Sequence, residues 1–255
     1  MINYAKSSSD DTVYKSYIRR KKYIILLVFL MCLAVGLFSL CSGSSGLTLS
    51  RIFSCFLGRG DAMTNSIVFN IRMPRIVTAV LVGILLAMSG SVMQSILRNP
   101  LASASTLGVS QGASFGATIG IICLGAGMQG TSSSASAITI YDPAVVVGCA
   151  FVGGIISAVI ILALSKYKTM KPSSMVLVGV ALSSLFNGGT TLVQYFADDV
   201  QVSAVVFWTF GDLGRTSWKE IGILLVTAVM MFIFFMLNRW NYNAMESGAD
   251  TAKSL

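Results

Sequence analysis

Residues 107–124 read LGVSQGASFGATIGIICL, a run without a Lys, Arg, Asp or Glu and with glycine at positions 108, 112, 116 and 120. An α-helix turns once in about 3.6 residues. A spacing of four therefore gathers Gly108, Gly112, Gly116 and Gly120 on one face, and Ala113 and Ala117 widen it. An uncharged run of this length suits a hydrocarbon layer, where a crossing helix takes about 20 mostly apolar residues. Lipid supplies little hydrophobic force between helices, so close approach of small residues takes over. The stripe reads first as a packing face, and second as the lining of a path for a bulky solute.

Similar runs recur along the chain. Six stretches lack any Lys, Arg, Asp or Glu: 23–40, 76–97, 107–127, 143–165, 175–197 and 221–238. Small residues mark the second (Gly83, Ala87, Gly90, Ser91), the fourth (Ala150, Gly153, Gly154, Ser157, Ala158) and the fifth (Gly179, Ser183, Asn187, Gly188). Of 255 residues, 55% are hydrophobic and 11% charged, against about 25% charged in a soluble domain. That excludes an ordinary soluble protein, and equally a disordered chain, which needs low hydrophobicity and high charge. No alternation long enough for β-barrel strands is present. The fold class is all-α polytopic membrane protein.

Charge sets the orientation. The tail before the first stretch holds Lys6, Lys15, Arg19, Arg20, Lys21 and Lys22; Arg98, Lys166, Lys168, Lys171, Arg239 and Lys253 fall after the second, fourth and sixth. With Asp10, Asp11, Glu246 and Asp250 this side carries the whole net charge of +8, and the other side balances to zero. Basic residues favour the cytoplasmic face, so both ends are expected inside, with residues 1–22 as a tail and 23–255 as one transmembrane domain. A cleaved signal peptide is the alternative reading of Arg19–Lys22 and the run after it. Of the five cysteines, Cys41 and Cys55 share a polar segment and could pair in an oxidising compartment; buried or free thiols are the default.

The chain contains no histidine, which removes the commonest general base and metal ligand. No stretch carries an ionisable residue at its centre, where proton- and ion-coupled carriers place one. No phosphate-binding GxxxxGK[ST] loop is present, so nucleotide hydrolysis, if used, belongs to a partner. A transport subunit powered from outside fits best. The alternative is an ion-coupled secondary transporter or channel, for which Asn187 with Gly188 and Gly189 would have to supply a broken-helix site. A membrane-embedded enzyme lacks the residues for its chemistry.

Two junctions stand out. Phe69-Asn70-Ile71-Arg72-Met73-Pro74-Arg75 precedes the second stretch, where Pro74 suits a first helical turn. Arg72 and Arg75, three apart, point to one side, towards lipid phosphate or the carboxylates of a protein partner. At the other end, Arg98-Asn99-Pro100-Leu101-Ala102 breaks the helix, and Ser103, Ser105 and Thr106 offer N-caps for the next.

Together with Val82-Gly83, Ser89-Gly90, Gln94, Leu107–Ala117, Leu177–Ser183, Phe207–Gly214 and Asn243–Leu255, these residues resemble the FecCD-type permeases, the membrane subunits of binding-protein-dependent ABC importers for iron–siderophore complexes, haem and vitamin B12. The resemblance implies the vitamin-B12-importer permease fold of ten spans, of which six lie in this sequence. It implies a place in the inner (cytoplasmic) membrane of a bacterium and alternating access between two permease subunits, as a homodimer or heterodimer. Two ATP-binding subunits would use ATP and Mg, a solute-binding protein would deliver the iron chelate, and this chain would bind no cofactor, metal or nucleic acid and have no catalytic residue. Arg72 and Arg75 match the outward arginines that meet the binding protein. Asn99, Pro100 and Leu101 match an inner gate, with Ser173 and Ser174 after Pro172 as a second gate element or as N-caps of the fifth span. Asn243, Ala244, Met245, Gly248, Ala252, Ser254 and Leu255 match the segment that couples to the ATPase. The serine-rich loop Thr131–Ser136 is longer than the family usually carries, Trp208 and Trp218 read as interfacial anchors, and four further spans are expected after Leu255.

Overall fold

The computed structural model describes residues 3–42, 46–126, 142–167, 172–214 and 216–248. Every regular element among them is helical. Five runs are long and apolar enough to cross a membrane: Tyr14–Cys41, Ala62–Leu97, Pro143–Tyr167, Ser173–Tyr195 and Trp218–Leu237. The third expected span, 107–127, is shorter in its described part, a helix over Val109–Cys123. Its 15 residues rise about 22 Å, less than the roughly 30 Å of a hydrocarbon core. The turns of residues 98–108 take up what was expected to be its first helical residues. The loop Thr131–Ser136 lies outside the described residues.

The chain divides into two compact units, one of residues 1–79 with 216–221, the other of 80–215 with 222–255. The first contains α1 (Asn3–Cys41), α2 (Leu49–Phe56), α3 (Ala62–Ser66), a π-helical segment (Ile67–Arg72) and the start of α4 (Met73–Leu97). Between Tyr23 and Phe38 the large apolar side chains of α1 are exposed, as a lipid-facing helix requires; burial begins at Leu40. There Leu40, Leu47, Ile52, Cys55 and Val68 form one cluster, with Cys41 packed on its edge. Cys41 and Cys55 are both free thiols, and Cys55 serves as a small core residue. Asp61 starts α3, its carboxylate accepting from the Ala62 N–H at 3.0 Å.

The second unit holds the rest of α4, then α5 (Val109–Thr118) running into a second π-helical segment (Ile119–Cys123), α6 (Pro143–Tyr167), α7 (Pro172–Tyr195), α8 (Asp199–Phe210), most of α9 (Trp218–Leu237) and α10 (Arg239–Ser247). Pro143 opens α6 at the position where a missing N–H costs nothing, and the Asp142 carboxylate accepts from the Ala144 N–H at 3.1 Å. The glycine face of α5 lies on α6. A methyl built on Gly112 would come within 2.6 Å of the Gly153 carbonyl oxygen, and one on Gly116 would fall on the Cys149 carbonyl. Gly120 faces Val146 and Cys149, and Gly108 faces Gly179, Ser183 and Ser157. Around this seam, Ala117, Ile121, Val146, Ala150, Ala204 and Val205 form one cluster, and Ile161, Leu182 and Phe186 another. Gly83 and Gly90 on α4 meet nothing within 4 Å, so the small face read on the second stretch has no such partner among the described residues.

Candidate functional site

The segment carrying Arg72 and Arg75 is part of an unbroken helical run from Ala62 to Leu97. Pro74 lies in the first turn of α4, as its chemistry suggests, yet that turn follows a π segment rather than a loop. The Met73 N–H donates to the Val68 carbonyl, five residues back. A proline inside an α-helix lacks its hydrogen bond and clashes with the carbonyl four residues earlier. The wider π turn, with its i→i+5 bonds, gives that carbonyl room but does not replace the missing N–H, and Pro74 is fully buried. The Trp218 indole N–H donates to the Phe69 carbonyl at 3.0 Å, and the buried Thr78 hydroxyl donates to Thr216 Oγ1 at 3.1 Å.

The two arginines differ in surroundings. Arg72 is half-buried and its guanidinium donates to the Leu40 carbonyl at the end of α1. The last carbonyls of a helix have no partner within it, and a cation there also meets the negative end of the helix dipole. Arg75 is exposed. The spacing placed the pair on one side; the structure gives Arg72 an internal partner and leaves Arg75 turned outward.

At the far end of α4 the chain reverses at Arg98, which has φ 46°. The Asn99 N–H reaches back to the Gln94 carbonyl at 3.2 Å, the long bond of a Schellman helix end, in which glycine is the usual left-handed residue. Asn99 is half-buried, and its side-chain oxygen accepts from the Leu101 N–H at 2.9 Å. Pro100 is exposed, and Leu101 is 74% exposed. Ser103 and Thr106 cap each other's turn, through Ser103 N–H to Thr106 Oγ1 at 2.8 Å and Thr106 N–H to Ser103 Oγ at 3.2 Å. They do not cap α5: its N-cap is Gly108, at φ 75° and with no side-chain hydrogen bond.

This turn region rests on α7. A methyl on Gly179 would overlap the Thr106 carbonyl and approach the Leu107 Cα to 2.7 Å. Ser157, fully buried, donates to the Leu107 carbonyl at 3.4 Å. Pro172 is the first residue of α7, and Ser173 and Ser174 lie in its first turn. α7 continues unbroken through Asn187, Gly188 and Gly189.

After α9, Asn238 makes a one-residue break before α10; its side chain donates to the Phe234 carbonyl at 2.9 Å and accepts from Asn241 at 3.2 Å. Asn243 and Met245 are exposed and Ala244 is half-buried on α10. Gly248 ends it at φ 138°. Ala252, Ser254 and Leu255 lie outside the described residues. Phe235 and Tyr242 meet edge to face at 6.0 Å. With Met88, Ser91, Ser95, Phe232 and Arg239 they help line a groove of about 430 Å³. Among the described residues no three His, Cys, Asp or Glu gather closely enough to hold a metal ion.

The FecCD transport family model matches residues 29–255. The chain belongs to this family. A relative named as an ABC transporter permease protein of Methanocaldococcus jannaschii is 45% identical over 242 residues, covering 95% of this chain and 68% of its own. The hemin transport system permease protein of Yersinia pestis is 30% identical over 230 residues, covering 90% and 64%. A solved structure described as an inward-facing conformation of a metal-chelate type ABC transporter superposes with a TM-score of 0.72 at 25% identity, covering 91% of this chain and 67% of its own. The chain therefore spans about two thirds of the length of the relatives it matches.

Three contacts of this FecCD chain escape sequence reasoning: Arg72 on the Leu40 carbonyl, Trp218 on the Phe69 carbonyl, and Ser157 on the Leu107 carbonyl. Each ends on a backbone oxygen far away in sequence, and residue type does not mark which carbonyls need a donor. Only Pro74 left a trace, since a proline within a helical run must orphan one of the carbonyls before it.

Proposed function

We propose that this chain is a permease subunit of a binding-protein-dependent ABC importer for a metal chelate, with an iron–siderophore complex as the first cargo to test and haem or cobalamin next. Membership of the FecCD family across residues 29–255 carries the reading. The fold supports it: a seam of backbone-to-backbone helix contacts and long apolar faces, with the stretches 23–40, 76–97, 143–165, 175–197 and 221–238 free of Lys, Arg, Asp and Glu. The unbroken α7 weighs against an ion-coupled carrier, which would need a discontinuous helix at Asn187–Gly189.

In this reading the basic side is cytoplasmic. Arg75, with Arg72 behind it, meets carboxylates of the solute-binding protein on the outer side. Asn99, Pro100 and Leu101, together with the start of α7 at Ser173 and Ser174, border the inner gate. α10 and the residues after it seat on an ATPase subunit, whose ATP and Mg chemistry drives alternating access between two permease subunits. Arg72→Glu combined with Arg75→Glu is expected to abolish chelate uptake while the protein still inserts in the membrane. Normal uptake by that double variant would contradict the assignment.

A further inference from the structure

Within the first unit, the π segment leaves one backbone oxygen in an unusual position. The Met73 N–H is bonded to the Val68 carbonyl, five residues back. The next bond in that register would run from residue 74 to the Phe69 carbonyl, but residue 74 is proline and has no N–H. The Phe69 carbonyl therefore lacks its helical donor. The indole N–H of Trp218 stands in, at 3.0 Å. Phe69 is half-buried and Trp218 is 48% exposed, so the contact lies at the surface; it gives each group a fixed partner, a net gain of about 1 kcal/mol.

A second tie lies beside the first. The Thr78 hydroxyl, only 1% exposed, donates to Thr216 at 3.1 Å. Pro74, fully buried, lies between Phe69 and Thr78 in sequence. Two residues of 216–218 thus clasp the stretch from 69 to 78, and within that stretch stand Arg72 and Arg75. The register of a helix fixes the direction of its side chains. Slipping from a π to an α register removes one residue from the turn and rotates everything beyond it by about 100°. π turns occur often where a side chain must be aimed for function.

From this we infer that Trp218 is a positioning residue: its indole N–H replaces the backbone donor that Pro74 lacks, holds residues 67–72 in the π register, and so aims Arg75 at the partner it docks. The inference rests on the docking reading of Arg75 for its functional half only. Trp218 acts on Arg75 through the Phe69 carbonyl.

The test uses the full transporter in lipid nanodiscs and a solute-binding protein that docks on the unaltered complex. Trp218→Phe keeps the ring and removes the donor. Backbone amide exchange over residues 67–80 should quicken about fivefold, the equivalent of one lost hydrogen bond of about 1 kcal/mol, and docking affinity should fall. Adding Pro74→Ala restores an N–H beside the Phe69 carbonyl. Exchange in the double variant should return to within about twofold of the unaltered protein, because the indole donor has become redundant. Unchanged exchange in Trp218→Phe, or no rescue by Pro74→Ala, overturns the clasp. Faster exchange with undiminished docking, in a transporter whose docking Arg75→Glu abolishes, overturns the positioning role. Undiminished docking in Arg75→Glu itself is the separate failure of the docking reading; the exchange results then judge the clasp alone.

Discussion

Arg75 is exposed, whereas Arg72, three residues earlier, is half-buried against the Leu40 carbonyl. Their substitutions should therefore separate. Arg75→Glu is expected to leave the thermal melt of the detergent-solubilised protein within about 0.5 kcal/mol of the unaltered chain, as surface changes do, while weakening docking. Arg72→Glu puts a carboxylate beside the carbonyls of a helix end and should lower stability by about 1–2 kcal/mol. Equal melts for the two would contradict the contact. Arg98 allows a converse test. It is exposed and sits at φ 46°, with no side-chain bond among the described residues to offset the strain. Arg98→Gly should raise stability by about 1 kcal/mol, read from the same melts. The residue types at these positions were legible in the sequence, but their surroundings were not. Spacing told which way two arginines point along a regular helix, and the π segment and the end of α1 then decided what Arg72 meets.

The seam of α5 on α6 is where the sequence spoke most plainly at the level of elements. A glycine every fourth residue keeps one helix face free of side chains, and lipid offers that face no better use than another backbone. Gly112→Ala and Gly116→Ala should each destabilise the protein by about 1–3 kcal/mol, because the added methyl meets the Gly153 or Cys149 carbonyl and neither backbone can step aside. Gly83→Ala and Gly90→Ala are the controls. With open space at both positions, they should be neutral or gain up to about 1 kcal/mol of helix propensity. A loss at Gly83 as large as that at Gly116 would contradict the packing described. The same small-residue pattern was present on both helices, so the pattern alone did not tell which face is covered. The third stretch, 107–127, holds a shorter helix over Val109–Cys123 for a related reason. The apolar run from 107 to 127 says nothing of register, and Gly108, in a left-handed conformation, starts the helix two residues into it.

At the scale of the molecule, composition settled the class: a chain with 11% charged residues cannot clothe a water-facing surface, and long apolar helices follow. The asymmetry of charge adds an expected direction, since basic residues exceed acidic ones in the segments read from the sequence as cytoplasmic. Partners were legible only through resemblance, because docking and coupling surfaces carry no chemistry of their own. α10 illustrates this. Its Asn243 and Met245 are exposed and Ala244 is half-buried, a pattern that fits a partner groove and fits an interfacial helix equally on physical grounds. The central claim, a permease driven by a separate ATPase through the segment that begins with α10, is tested most directly by affinity capture. The tagged chain, taken from its native membrane in mild detergent, should bring down a nucleotide-binding ATPase subunit, and removal of residues 243–255 should abolish that capture while leaving membrane insertion intact. Capture undiminished by the deletion, or no ATPase captured by the unaltered chain, would contradict the account.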